Sequence, residues 1–300
     1  MHLDTTLLYK IFPALLVFMI AETAYLVKTH RHDYKDMLSS FSLLFGILPV
    51  SLFTSGIILF TYTWLYQFRL FTMPTEKWWV WVFLFFGDDF SYYWYHRLSH
   101  QVRFLWASHV VHHSSEKFTL SSGLRVPWTS NLTGSFLFWA WMPFIGFEPY
   151  LVIFMKSASI IYQFWMHTET IGKLPGWYEK LFNTPSHHRV HHASNIEYLD
   201  KNHAGTLIIW DKMFGTYQEE ITKPVYGLAG SISSHNPFVI AFSEWGKIAR
   251  DLKRAKKIRY CLQYLLNPPG WSHDGSANTT KQLQEVLKNK NHCSLLKQIK

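Results

Sequence analysis

No charged residue occurs between Asp36 and Arg69, an uninterrupted run of 32 positions. About 20 apolar residues at 1.5 Å rise cross a bilayer, so this run commits the chain to lipid before anything else is considered. Its length leaves two options open: a tilted span, or a bend near Gly46, Pro49 and Gly56 into a re-entrant hairpin. A second uncharged run, between Arg125 and Glu148, also qualifies as a span. Weaker candidates are Ile11–Val27, interrupted by Glu22, Trp78–Tyr95, interrupted by Asp88 and Asp89, and Pro149–Met166, interrupted by Lys156. The expected fold is an all-α integral membrane protein with about four to five membrane helices. Residues 1–95 are mainly membrane, residues 126–166 form a membrane hairpin, and residues 221–300 form a basic tail. The N-terminal ten residues lack a basic start and a small-residue cleavage site, and read as retained.

The histidines are the second constraint. Eleven of 17 fall between residues 96 and 203, and eight of them form three clusters: His96/His100, His109/His112/His113 and His188/His191/His192. On a helix, positions i, i+3 and i+4 share a face, so each cluster can aim its imidazoles at one point. Neutral imidazole suits iron, zinc and copper, and eight nitrogens are too many for one tetrahedral ion and about right for two. The spacing therefore predicts a dinuclear metal site. His167, at the end of an apolar run, is a candidate ninth ligand. His187, out of phase with its cluster, is a candidate supporting residue, and His203 is a weaker candidate ligand. Asp89 lies seven residues before His96 on the same helical face. A carboxylate inside an apolar segment is costly, so Asp89 is expected to accept a hydrogen bond from the distal nitrogen of a ligand histidine.

Charge and motif content exclude several alternatives. Net charge is +9, but the basic residues lie beside the apolar segments and in the tail, which fits anionic lipid headgroups better than nucleic acid. The Lys28–Lys35 loop holds three Lys/Arg against two in the 67–77 connection, a bias that puts every histidine cluster on the cytosolic face, in a bacterial case the inner face of the inner membrane. Two cysteines, Cys261 and Cys293, form no framework. The hydrolase, nucleotide-dehydrogenase and NTPase motifs are missing. In the tail, residues 240–266 read as one amphipathic helix suited to the headgroup layer, stopped by Asn267–Gly270. A short polar helix capped by Asn278 or Thr279 follows.

The HxxxH, HxxHH and HxxHH series, with Asp89–His100 reading DFSYYWYHRLSH, resembles the fatty acid hydroxylase/sterol desaturase superfamily over about residues 80–220. Within it, WASHVVHHSSE, QFWMHTE, NTPSHHRVHH and DKNHAGTLIIWDKMFGTY are similar to the alkylglycerol monooxygenase branch and its bacterial sterol-desaturase-like relatives. The resemblance implies membrane helices capped by a helical domain with a di-iron centre, O2 as co-substrate and a lipid substrate oxidised at a C–H bond. It implies His96, His100, His109, His112, His113, His188, His191 and His192 as metal ligands. Gln101 stands where that branch often has an acidic residue, and His203 where it usually has tyrosine. Both departures weigh against ether-lipid cleavage and tetrahydrobiopterin dependence. With no flavin, haem or ferredoxin segment in view, a separate electron donor is expected. Two other readings compete with hydroxylation: desaturation at the same site, as for sterols or carotenoids, and a non-catalytic zinc-binding or transport protein.

Overall fold

The computed structural model describes residues 6–228, 232 and 234–298. Twelve α-helices occur among them: α1 (Thr6–Lys28), α2 (Tyr34–Gln67), α3 (Trp78–Gln101), α4 (Arg103–His109), α5 (Trp141–Ile145), α6 (Pro149–Phe164), α7 (Gly176–Leu181), α8 (Pro185–His192), α9 (Ile209–Met213), α10 (Pro237–Arg254), α11 (Ile258–Leu266) and α12 (Thr280–Gln298). Among the described residues there is no strand, only two isolated bridges, Phe182 with Leu207 and Ala193 with Tyr226. The chain is all-α, as expected.

α2 is one continuous helix of 34 residues with Pro49 inside it, so the uncharged run does not turn back as a re-entrant hairpin. Asp33 caps it by accepting from Lys35 N and Asp36 N. It is the one helix among the described residues long and apolar enough to cross a membrane, and only 11% of its most apolar stretch is buried. A core helix of a soluble domain would have that stretch covered, so this surface belongs in lipid. The ionisable residues inside the apolar segments turn inward. Asp36 pairs with Arg125 at 2.6 Å, Glu22 accepts from Leu120 N at 2.6 Å and from the Thr168 hydroxyl, and Asp88 accepts from Trp139 Nε1 at 2.7 Å.

The second uncharged run does not form the expected span. Residues 126–147 fold as a string of 3-10 turns, Asn131–Thr133 and Ser135–Trp139, followed by the five-residue α5. Gly134 and Gly146 both take positive φ, +82° and +133°, and Pro143 removes a backbone donor within α5, so no long helix can run through. α6 has 16 residues, short of the roughly 20 that cross a bilayer. The apolar side chains of the run serve a core instead: Trp139, Met142 and Phe147 pack with Tyr62 of α2, Leu84 of α3 and Val152 of α6.

The tail also departs from expectation. Residues 240–266 are two helices, because Ala255 and Lys257 are extended and break the run. The turn lets Tyr264 bury itself beneath the Arg103 guanidinium, 5.7 Å from its ring centre. Thr279 caps α12, trading bonds with Gln282: its backbone N donates to Gln282 Oε1 at 2.8 Å, and its hydroxyl oxygen faces Gln282 N at 3.5 Å.

Candidate metal centre

Nine histidines converge into two adjacent groups. His96, His100, His109, His113 and His191 form one, and His112, His167, His188 and His192 form the other; within each group one ring nitrogen per residue lies within 4.8 Å of every other. The groups touch. His113 stacks on His192 with centroids 4.4 Å apart, and His188 on His191 at 5.4 Å.

The clusters do not each aim at one point. In both HxxHH runs the i and i+4 histidines stay together while the i+3 histidine crosses to the other group: His109 and His113 against His112, His188 and His192 against His191. Successive residues on a helix turn by about 100°, so i+4 sits about 40° to one side of i and i+3 about 60° to the other. Two facing HxxHH runs thus interlock, each supplying a pair to one group and a single ring to its neighbour. α8 carries the second run within one helix behind Pro185 at its first turn. The first run straddles the end of α4 and the 3-10 turn His112–Ser114.

The proton count shows what the groups suit. A neutral imidazole carries one N–H. His96 uses Nδ1 on the His203 carbonyl at 2.8 Å, His191 on the Lys201 carbonyl at 2.8 Å and His167 on the Gln163 carbonyl at 3.0 Å. That tautomer leaves their Nε2 lone pairs facing the centre. His96 Nε2 lies 3.0 Å from His109 Nε2, which lies 3.0 Å from His113 Nε2. His188 Nε2 is 2.9 Å from His167 Nε2 and 3.1 Å from His192 Nε2, and His167 Nε2 is 3.1 Å from His112 Nε2. Buried Nε2 atoms of His100 and His191 find no partner. Converging lone pairs with too few protons between them are repulsive unless a cation sits among them. Cis ligands at bonds of about 2.1 Å lie about 3 Å apart, the spacing seen here. Burial, the largest cause, together with the neighbouring rings pushes His109, His113, His188, His191 and His192 well below the usual imidazole range, so they present the neutral form a metal needs.

The remaining candidates lie outside both groups. His187 turns away, its Nε2 3.2 Å from Glu179 Oε2. His203 is buried with its ring 5.0 Å from that of His100 and both ring nitrogens unpartnered, yet it joins neither group; its contribution is the backbone carbonyl held by His96. Asp89 does not receive a histidine N–H. It accepts from Thr206 N at 2.7 Å, Leu207 N at 3.0 Å and Trp210 Nε1 at 2.9 Å, which fastens the segment beyond His203 to α3. Unpaired backbone donors won that carboxylate because the 203–208 segment has no helix to satisfy them.

Three supporting groups escaped sequence reasoning. Asp200 lies 3.4 Å from His100 Nδ1, and with Asn202 it takes positive φ, which turns the Lys201 and His203 carbonyls toward the rings. An Asp and an Asn two apart just past the last cluster were the legible trace of that turn. Arg189, inside the last HxxHH, donates to the Thr168 and Ile171 carbonyls at 3.2 and 2.6 Å and so holds the loop after His167. Gly123 leaves room for His167: a Cβ there would lie 3.0 Å from its ring.

A cavity of 510 Å³ ends on His100, His113, His191 and His192. Its charged walls are Arg103, Asp200, Glu244 and Lys247, two cations and two anions, and Trp106 lines it as well. Trp128 donates to the Leu43 carbonyl, Trp94 packs on Phe214, and Trp165 packs on Tyr162, all away from this cavity. An apolar groove of 670 Å³, walled by Phe83, Phe86, Phe90 and Trp141, touches none of the histidines.

The fatty acid hydroxylase family model matches residues 81–216, the stretch that holds all nine histidines. The chain is 41% identical over 240 residues to the alkylglycerol monooxygenase of Homo sapiens, covering 79% of this chain and 53% of that protein. It is 38% identical over 238 residues to the enzyme of that name from Xenopus tropicalis, covering 79% and 52%. An ornithine lipid hydroxylase of Rhizobium tropici is 29% identical over 139 residues, 43% of this chain and 39% of that protein. The chain spans about half the length of the alkylglycerol monooxygenases it matches. No solved structure matches. The chain belongs to the fatty acid hydroxylase family.

Proposed function

We propose that this chain is a membrane-bound di-iron oxygenase that hydroxylates a C–H bond of a lipid using O2. The single observation that carries the reading is the interlocked pair of histidine groups at the end of a cavity. His96, His100, His109, His113 and His191 would hold one iron, and His112, His167, His188 and His192 the other. Bound iron would supply the activation of O2 that unactivated C–H bonds require. The chain's own part is geometric. Carbonyls of residues 163, 201 and 203 fix the ring tautomers, Asp200 orients His100, and burial keeps the rings neutral. Zinc would also fit these nitrogens, but the run 37–68 carries no charged side chain that a transport path would use, and the relatives' names are those of oxygenases.

We take residues 80–220 as the oxidising unit, with α1 and α3 sharing the bilayer with α2 and the histidines on the cytosolic side. The cavity's balanced charges suit a lipid with a polar, overall uncharged or zwitterionic head, in keeping with the polar lipids named for the relatives. A separate donor would supply electrons, and Gln101 and His203 favour one other than tetrahydrobiopterin. The test is iron content with product mass spectrometry. Wild type should bind two irons and add one oxygen to its lipid, and His112→Ala should bind less iron and lose turnover. Loss of two hydrogens would instead identify a desaturase, and wild-type iron and activity in His112→Ala would sink the assignment.

A further inference from the structure

Helices α10 and α11 form a hairpin outside the matched stretch 81–216. Each is fixed by one face. Ile240 and Ala241 join Leu43 of α2 and Val110, Val111 and Trp128 in one core. Glu244 and Asp251 take the Arg103 guanidinium at 2.9 and 2.7 Å, and the Asn267 carbonyl accepts from Arg103 N at 3.1 Å. The outer face has no such partners. Ile258, Leu262 and Leu266, at i, i+4 and i+8, form one stripe and are 78%, 52% and 61% exposed. Phe238 and Phe242 are exposed on α10. Arg250, Lys253, Arg254, Lys256, Lys257 and Arg259 are all exposed beside them, and Asp251, the one carboxylate in that run, is already paired with Arg103.

We infer that this hairpin is a second membrane contact, lying in the plane of the bilayer and docked on anionic phospholipid. The aliphatic stripe would enter the acyl boundary and the six cations the phosphate layer. Continuity argues for lipid over an acidic protein. Phe238 and Phe242 pack edge-on against Trp128, whose indole is bonded to the Leu43 carbonyl of the spanning helix. Leu38, Phe45 and Leu48 of α2 are exposed at that same level. The apolar surface of α10 therefore continues the surface that lipid already covers. The hairpin also supplies Glu244 and Lys247 to the cavity wall, with Pro269 and Gly270 just beyond it. Docking would hold the mouth of that cavity at the headgroup layer. Its use for substrate entry rests on the proposed function; the docking itself does not.

The full chain, with Cys261→Ser and Cys293→Ser and a nitroxide on Leu262→Cys, is reconstituted in nanodiscs of phosphatidylcholine with or without phosphatidylglycerol. Power-saturation EPR then compares collisions with dissolved oxygen and with a water-soluble nickel chelate. In anionic discs the label should meet oxygen and be shielded from nickel. In neutral discs, and in K253Q/R254Q/K256Q/K257Q, it should be open to nickel. Each cation near an anionic leaflet contributes roughly fivefold to partitioning, so losing four should shift the docked ratio by several hundredfold. Equal nickel access in both lipids overturns the inference, as does docking that survives the quadruple substitution. Shielding from both reagents whatever the lipid marks a second copy of the chain and also overturns it. Iron measured on the same discs separates the two readings, since missing iron sinks the oxygenase and leaves the docking untouched.

Discussion

The two histidine groups share residue type and spacing but are backed by different parts of the chain. The five-membered group leans on the loop after α8: Asp200 and the carbonyls of Lys201 and His203 set three of its rings. The four-membered group leans on the loop after α6, where His167 is set by the Gln163 carbonyl and its neighbour Thr168 is held by Arg189 and by Glu22 of α1. The first group presents three rings to the cavity and the second only His192. The supporting loops thus differ between the groups, although both HxxHH runs supply rings to each. The cavity therefore opens mainly on the five-membered group.

Removing a ligand from each group should break this comparison most sharply. His109→Ala takes a nitrogen that lies 3.0 Å from two others and should reduce turnover more than about 100-fold, beyond the 10–100-fold expected of residues that only orient a ligand. His167→Ala should leave close to one metal per chain by elemental analysis, since three rings remain in its group and five in the other. A full complement of two metals in His167→Ala would show that this ring is a bystander.

The supporting residues give the next largest effect. Asp200→Asn keeps the shape and removes the charge that faces His100, and should weaken occupancy of the five-membered group by about tenfold. Glu22→Gln should act on the four-membered group alone, by less, because Arg189 also holds its loop. Metal titrations of the two variants should therefore lose different sites. Loss of the same site in both would mean that the groups are backed as one unit.

Sequence pattern and structure diverge for reasons these residues make plain. Eight of the nine rings were legible because HxxxH and HxxHH on a helix bring rings to one or neighbouring faces; His167 belongs to no such spacing and stood only as a candidate ninth. Their division into two groups was not, because it depends on how two such runs face each other across the fold. The 126–147 run shows the opposite failure. Its uncharged composition reads as a span, yet Gly134, Gly146 and Pro143 coil it, and the core beneath α2 and α3 takes up its aromatics. Hydropathy reports that a segment avoids water, and a protein core meets that requirement as well as lipid does. Asp89 was read as a partner for a ring because it shares a face with His96. The irregular segment 203–208 claimed it first, a demand invisible until the loop's backbone donors can be counted.

The smallest effect concerns a histidine in neither group. Burial, the largest cause, presses His187 down to about 4, although Glu179 beside it pulls the other way. Burial prevails because Glu179 already accepts from Leu174 N and from the hydroxyls of Thr184 and Ser186, which leaves less of its charge for the ring. In the unfolded chain this side chain titrates near 6.5. Between those values the unfolded chain binds a proton that the folded chain refuses, so His187 favours folding above about pH 6.5 and opposes it progressively down to about pH 4. The melting temperature of the metal-loaded protein should therefore fall between pH 7 and pH 5, and His187→Gln should flatten part of that fall. The part is small, because Gln keeps the hydrogen-bonding shape and loses only the proton site. Identical slopes for the two proteins would mean that His187 and Glu179 sit in the fold as a charged pair, with the ring serving as an anchor that protonation strengthens.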